Sequence, residues 1–167
     1  MREEKRIFKE AAKERLKDSN LLYKNNRVHI AFYLLGYCIE CSIKYFIINS
    51  LGCNNIEEAE KKVGPFYYHI DKVEKGHPIL YRRMRFLKLQ IYRINPRISK
   101  NRNFDSICNK LCNLIGKFFG TYGWRIQLRY SSDYSLSKNY PQDYNFKYIE
   151  DNFQDIFKDV GEIIWKI

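Results

Sequence analysis

The sequence predicts an all-α fold, an up-and-down bundle of about five long helices forming one domain over residues 1–167. Two observations carry this. Apolar residues recur at steps of three and four in long segments, the period of one helix face. Between those segments stand the breakers Asn25-Asn26, Gly52, Gly64-Pro65, Gly76-His77-Pro78 and Pro96.

The first helix runs from Glu3 to Lys24, with Phe8, Ala12, Leu16, Ser19 and Tyr23 on one side. It ends near Asn25-Asn26, and a second helix follows from about Arg27 to Ser50. Asn55 is placed to cap a short helix, Ile56 to Val63, because an Asn side chain accepts from free N–H groups of a first turn. The third long helix opens after Pro78 and closes before Pro96. Its seam is Leu80, Met84, Leu87, Ile91 and Ile94. Asn103 to Gly120 forms the fourth, with Phe104, Ile107, Cys108, Leu111, Leu114, Ile115 and Phe118 inward. The Gly- and Ser-bearing segment from Gly120 to Tyr140 reads as mostly irregular. Asp143 to Ile167 is the last helix, its inner side made of Phe146, Ile149, Phe153, Ile156, Val160, Ile163 and Ile167.

The second helix is apolar nearly all round, which marks a buried helix. One polar stripe crosses it: His29, Tyr33, Gly36, Glu40 and Lys44 share a face. Charge is expensive there, so Glu40 and Lys44 are expected to pair, Glu preceding Lys at i,i+4 being the favourable order. Two roles fit the stripe, a structural ion pair or the floor of a binding site. The ionisable residues also argue against a membrane span, which needs about 20 predominantly apolar positions.

The N-terminal segment MREEKRIFKEAAKERL has no apolar signal-peptide core, so a cytoplasmic location is expected. Five cysteines, an odd number, then read as free thiols. Cys38 and Cys41 have zinc-like spacing, as do Cys108 and Cys112 one turn apart. Both pairs fall inside apolar helices and not on the tight turn a zinc knuckle needs, so neither metal nor cofactor is expected.

The net charge of +11 is concentrated. From Lys72 to Arg102 there are ten Lys and Arg residues against one acid, Glu74. In the third long helix Arg82, Arg85, Lys88 and Arg93 face away from the apolar seam, with Tyr81, Phe86 and Tyr92 interleaved. Clustering of one sign suits a polyanion, and aromatic rings among arginines suit unpaired bases. A solvated basic face is the plainer reading of the same pattern. Nucleotide-binding glycine loops, HExxH and serine nucleophile elbows are absent.

The run Ala31-Phe32-Tyr33-Leu34-Leu35-Gly36-Tyr37-Cys38-Ile39-Glu40-Cys41-Ser42-Ile43-Lys44 resembles the second-helix signature of HEPN domains, A-x-Y-L-x-G-Y-x-x-E-x-x-L-K. His69-Ile70-Asp71 resembles a His-bearing position of that family, and Arg129-Tyr130-Ser131 its Arg-Tyr-Pro before the final helix. The resemblance implies a helical bundle, a homodimer, and RNA- or nucleotide-related work. It also implies a prokaryotic toxin–antitoxin or antiphage setting, commonly beside a minimal nucleotidyltransferase. Ribonuclease members carry an Arg followed four to six residues later by a His. No His here has an Arg at that spacing, so the standard ribonuclease centre is missing.

The expected function is therefore binding of RNA or a nucleotide, with Glu40, Lys44, Arg129 and Tyr33 as the ligand groove. Arg82, Arg85, Lys88 and Arg93 would form its nucleic-acid approach. A divergent metal-independent endoribonuclease is the alternative, with His29, His69 and Arg129 as its catalytic candidates. A protein-partner or oligomerisation module is a third reading.

Overall fold

Helix α2 (Val28–Ser50) occupies the centre because nearly every face of it is apolar: Ala31, Phe32, Leu35, Cys38, Ile39, Ile43, Ile47 and Ile48 are all buried. The computed structural model describes residues 4–66, 72–74, 77–100, 102–131, 138 and 144–167. Within them the chain is an all-α bundle, as its periodicity predicts.

Helix α1 (Glu4–Lys24) packs along α2 through Ala12, Leu16 and Ser19. Ser19 Oγ donates to the Ala31 carbonyl at 2.8 Å, which satisfies a buried hydroxyl at the crossing. The Asn25-Asn26 break ends α1 by a defined mechanism. Asn26 takes a left-handed φ of 58°, its N–H bonds the Tyr23 carbonyl, and the Arg27 N–H reaches back to Leu22. That is a Schellman ending, with Asn in the place glycine usually takes.

Helix α3 (Ile56–Val63) is capped as expected, Asn55 Oδ1 accepting from the Glu58 N–H at 2.8 Å. Glu58 returns the contact by accepting from the Asn54 N–H at 2.9 Å. A two-residue antiparallel ladder, Val73–Glu74 against His77–Pro78, precedes α4 (Ile79–Ile94). The backbone of His77 thus belongs to a ladder.

Helix α5 (Arg102–Gly116) follows a 3-10 turn at Pro96–Lys100 and runs on into a π-helical turn, Lys117–Thr121. Helix α6 (Phe146–Ile164) closes the bundle against α2 and α1 through Ile149, Phe153, Ile156, Val160 and Ile163. Aromatic stacks tie the layers together: Phe32 on Phe118, Phe46 on Phe104, and Tyr23 on Phe153.

Two sequence expectations need correction. Ile94, assigned to the α4 seam, is 43% exposed, as the last residue of the helix. The stretch after Gly120 is not merely irregular. Tyr122, Trp124 and Leu128 are buried in the core, and Ile126–Tyr130 is a 3-10 turn. Among the described residues α2 alone is long and apolar enough to cross a membrane, and 72% of its most apolar window is buried inside the protein.

Candidate nucleic-acid interface

The polar stripe of α2 divides into three local environments. At its N-terminal end His29 is buried, its ring stacked on Phe146 at 4.4 Å. Nδ1 lies 2.7 Å from the Tyr144 hydroxyl, and Nε2 lies 3.8 Å from Glu150 Oε1. Burial, and secondarily the Glu150 charge, push the Tyr144 hydroxyl well above the usual tyrosine range, so it keeps its proton. The hydroxyl shares one hydrogen bond with Nδ1, and Nε2 faces the Glu150 carboxylate. The arrangement locks the start of α2 to the start of α6.

At the middle of the stripe the backbone of Gly36 lies against the Trp124 indole, so close that any Cβ there would overlap the ring. Trp124 Nε1 donates to the Tyr33 carbonyl at 3.1 Å, and the Tyr33 ring stacks on the indole at 5.7 Å. Tyr33 in turn donates to the Tyr37 hydroxyl at 2.9 Å. Burial, then the Tyr37 hydroxyl, push the Tyr33 hydroxyl well above the usual tyrosine range, while the Arg129 guanidinium beside it pulls the other way. Arg129 itself lies over the ring of Tyr130, 4.4 Å from its centroid, and Tyr130 is 75% exposed. Tyr33 and Arg129 are therefore brought together.

At the C-terminal end Glu40 and Lys44 form an ion pair at 2.7 Å, both side chains buried. The Lys44 ammonium stands 5.9 Å from the Phe8 ring centroid of α1. Such a pair, closed over by α1, is a structural element of the helix crossing. Of the two roles that fit the stripe, this burial supports the structural ion pair.

The outward face of α4 is built differently. Arg85 and Arg93 are exposed and Arg82 is half-buried. Between them stand Phe86, 56% exposed, and Leu89, 61% exposed. The helical period puts Arg82, Arg85, Phe86, Leu89 and Arg93 within one outward stripe. Arg85 is held over Tyr81 at 5.9 Å. Lys88 turns aside from the stripe, paired with Asp105 of α5 at 3.0 Å, and the hydrogen bond its ammonium donates to that carboxylate raises its pKa. Arg83 points the opposite way. It donates to the Pro65 carbonyl at 2.9 Å and to the Val63 carbonyl at 3.1 Å, pinning α4 to the end of α3. Below the stripe a cleft of about 520 Å³ opens between α4 and α5, lined by Tyr81, Arg85, Lys88, Asn109, Cys112 and Asn113 among others.

His69 lies outside the described residues. The five cysteines are free thiols, and Cys38 and Cys41 lie along α2 with Cys38 fully buried. Sequence reasoning missed Trp124, Tyr144, Glu150, Leu89 and Asp105. Asn145 beside Tyr144, capping the last helix, was a usable signal, since its side chain accepts from the Tyr148 N–H. Leu89 was open to the same helical period that places Arg85 and Phe86, whereas Trp124, Glu150 and Asp105 come from contacts between distant segments, which leave no period in the sequence.

The fold and the described surface together define a class: an all-α bundle that carries on α4 a basic stripe interleaved with apolar side chains. Comparison with protein-family models, with curated proteins and with solved structures matches none of them.

Proposed function

We propose that this chain is a HEPN-like helical domain that binds single-stranded RNA on the outward face of α4, without a ribonuclease centre. The observation that carries the reading is the stripe of Arg82, Arg85 and Arg93 with exposed Phe86 and Leu89. Arginines supply phosphate contacts, and an exposed phenyl ring offers a stacking platform for an unpaired base. A duplex would leave that ring unused, because its bases are already stacked.

The endoribonuclease alternative draws little from His29. Its ring is buried and both its nitrogens face protein groups, so it has no path to a ribose hydroxyl. Arg129 with Tyr33 and Tyr130 is an accessible cationic and aromatic corner, and belongs to the same reading as a secondary contact for a base or phosphate. A homodimer, a nucleotidyltransferase partner and a prokaryotic defence or toxin–antitoxin setting follow from the resemblance in α2.

Labelled single-stranded RNA, incubated with the purified chain, tests the proposal through retention and strand integrity read together. Retention without cleavage is expected, with loss of retention in Arg82→Glu/Arg85→Glu. Unchanged affinity in that folded variant overturns the assignment to α4. Cleavage that disappears in His29→Ala replaces the binding reading with the nuclease one.

A further inference from the structure

The cleft between α4 and α5 contains a nucleophile that RNA binding does not use. Cys108 and Cys112 stand one turn apart on α5 and both line it, with Arg85 and Lys88 on the opposite wall. Cys108 is buried; Cys112 is half-exposed at the cleft surface. The Cys108 thiol has two acceptors within reach, the Met84 carbonyl at 3.6 Å and the Cys112 sulfur, and its single proton serves one at a time.

We propose that Cys112 is a site of S-thiolation, at which the α4–α5 cleft takes an anionic low-molecular-weight disulfide of the glutathione type. Four features select this sulfur. The cleft is roomy enough to admit a peptide-sized reagent, whereas Cys38, Cys53 and Cys108 are enclosed. Arg85 supplies a cation for the reagent's carboxylates, and Lys88, although bound to Asp105, lines the same wall.

The third feature is an internal comparison. Cys41 is half-exposed like Cys112, but burial and the neighbouring Glu40 carboxylate push its thiol up to about 11. Cys112 is shifted the other way. Donation from the Cys108 thiol outweighs its burial, and the Arg85 charge adds to the lowering. A thiolate is the nucleophile in disulfide exchange, so Cys112 is favoured over Cys41.

The fourth feature concerns what happens next. The Cys112 thiolate attacks one sulfur of the reagent. A Cys112–reagent disulfide forms, the reagent's own S–S bond breaks, and the second half leaves as a thiolate that takes a proton from water. No net oxidation occurs. Cys108 would ordinarily resolve such an adduct, but Cβ atoms at i,i+4 of a helix are about 5–6 Å apart. A disulfide needs about 3.5–4.5 Å, so closing Cys108 onto Cys112 requires α5 to unwind. The mixed disulfide therefore persists until an external thiol removes it.

The consequence for RNA rests on the function proposed above. Arg85 belongs both to the α4 stripe and to the cleft wall, so an anionic adduct on Cys112 neutralises a cation the nucleic acid would use.

The native full chain, incubated with glutathione disulfide near neutral pH, is read by intact mass and peptide mapping. One adduct per chain on Cys112 is expected, none in Cys112→Ser, and release by excess reduced glutathione. Arg85→Ala is expected to slow the reaction with glutathione disulfide by about tenfold, and to slow the neutral hydroxyethyl disulfide far less. Modification first at Cys41, no adduct on the folded chain, or equal slowing of both reagents overturns the assignment. RNA retention is then compared before and after modification. An adduct on Cys112 with unchanged RNA retention supports the thiol site and rejects its regulatory use. A chain that never retained RNA rejects the function proposed above and leaves the mass result standing.

Discussion

Glu40 and Lys44 show how the geometry of a residue pair can be legible in a sequence while its surroundings are not. Their i,i+4 spacing on an apolar helix made a buried ion pair legible, and the 2.7 Å contact meets that expectation. What spacing could not convey was that the pair is closed over beside Phe8, since that depends on where α1 lies. A buried pair of this kind is costly to break and cheap to replace. Glu40→Gln leaves the Lys44 charge without its 2.7 Å partner and is expected to cost about 3–5 kcal/mol in urea denaturation. Glu40→Leu with Lys44→Met is expected to be neutral or stabilising, with RNA retention unchanged. Loss of retention in a folded double variant would return the pair to the binding site. Gly36 makes a similar point about close approach. Its place in the stripe was visible, but the indole pressed against it was not. Gly36→Ala is expected to cost about 1–3 kcal/mol, because Trp124 must move from a fully packed position. A variant as stable as the parent would mean that the indole is free to shift.

Among the elements, α1, α2, α5 and α6 were legible because each buries one face, or all faces, at a regular period, and Asn55 marked the start of α3 by its own chemistry. The segment after Gly120 was not, because Tyr122 and Trp124 enter the core from irregular backbone and Leu128 from a single 3-10 turn, where burial has no period to reveal it. Helix α4 lies between these cases. Its seam through Leu80, Met84, Leu87 and Ile91 was evident, but four of its cations looked alike and are not. Arg82, Arg85 and Arg93 belong to the outward stripe, Lys88 is held by Asp105, and neighbouring Arg83 serves the fold. Arg83→Met removes donors from the Val63 and Pro65 carbonyls and is expected to cost about 1–2 kcal/mol, a fall of roughly 2–8 °C in Tm. RNA affinity at low temperature should be unchanged. An affinity loss matching that of Arg85→Met, with Tm preserved, would move Arg83 into the interface.

For the whole molecule, the distribution of charge decides more than its sum. A net charge of +11 would draw any polyanion weakly toward the chain, whichever face it met. Binding at a defined stripe makes a different demand on salt dependence. For single strands, each phosphate neutralised contributes about −0.7 to the slope of log affinity against log salt. Arg82, Arg85 and Arg93 acting together therefore give a slope of roughly −2. Arg82→Glu/Arg85→Glu should flatten it by about one unit or more. Lys17 and Lys158, exposed beside the α1–α6 groove, provide the control. Reversing both to Glu lowers the net charge by the same amount while leaving α4 untouched. If the stripe is the interface, the control changes affinity slightly and keeps the slope. If both variants flatten the slope equally, RNA is held by net charge alone. The Phe86 ring between the arginines then has no stacking role, and Phe86→Ala should leave affinity for single strands where it was. With the stripe as interface, Phe86→Ala should instead lower that affinity by about 1–3 kcal/mol and leave the slope alone, since stacking releases no counterions.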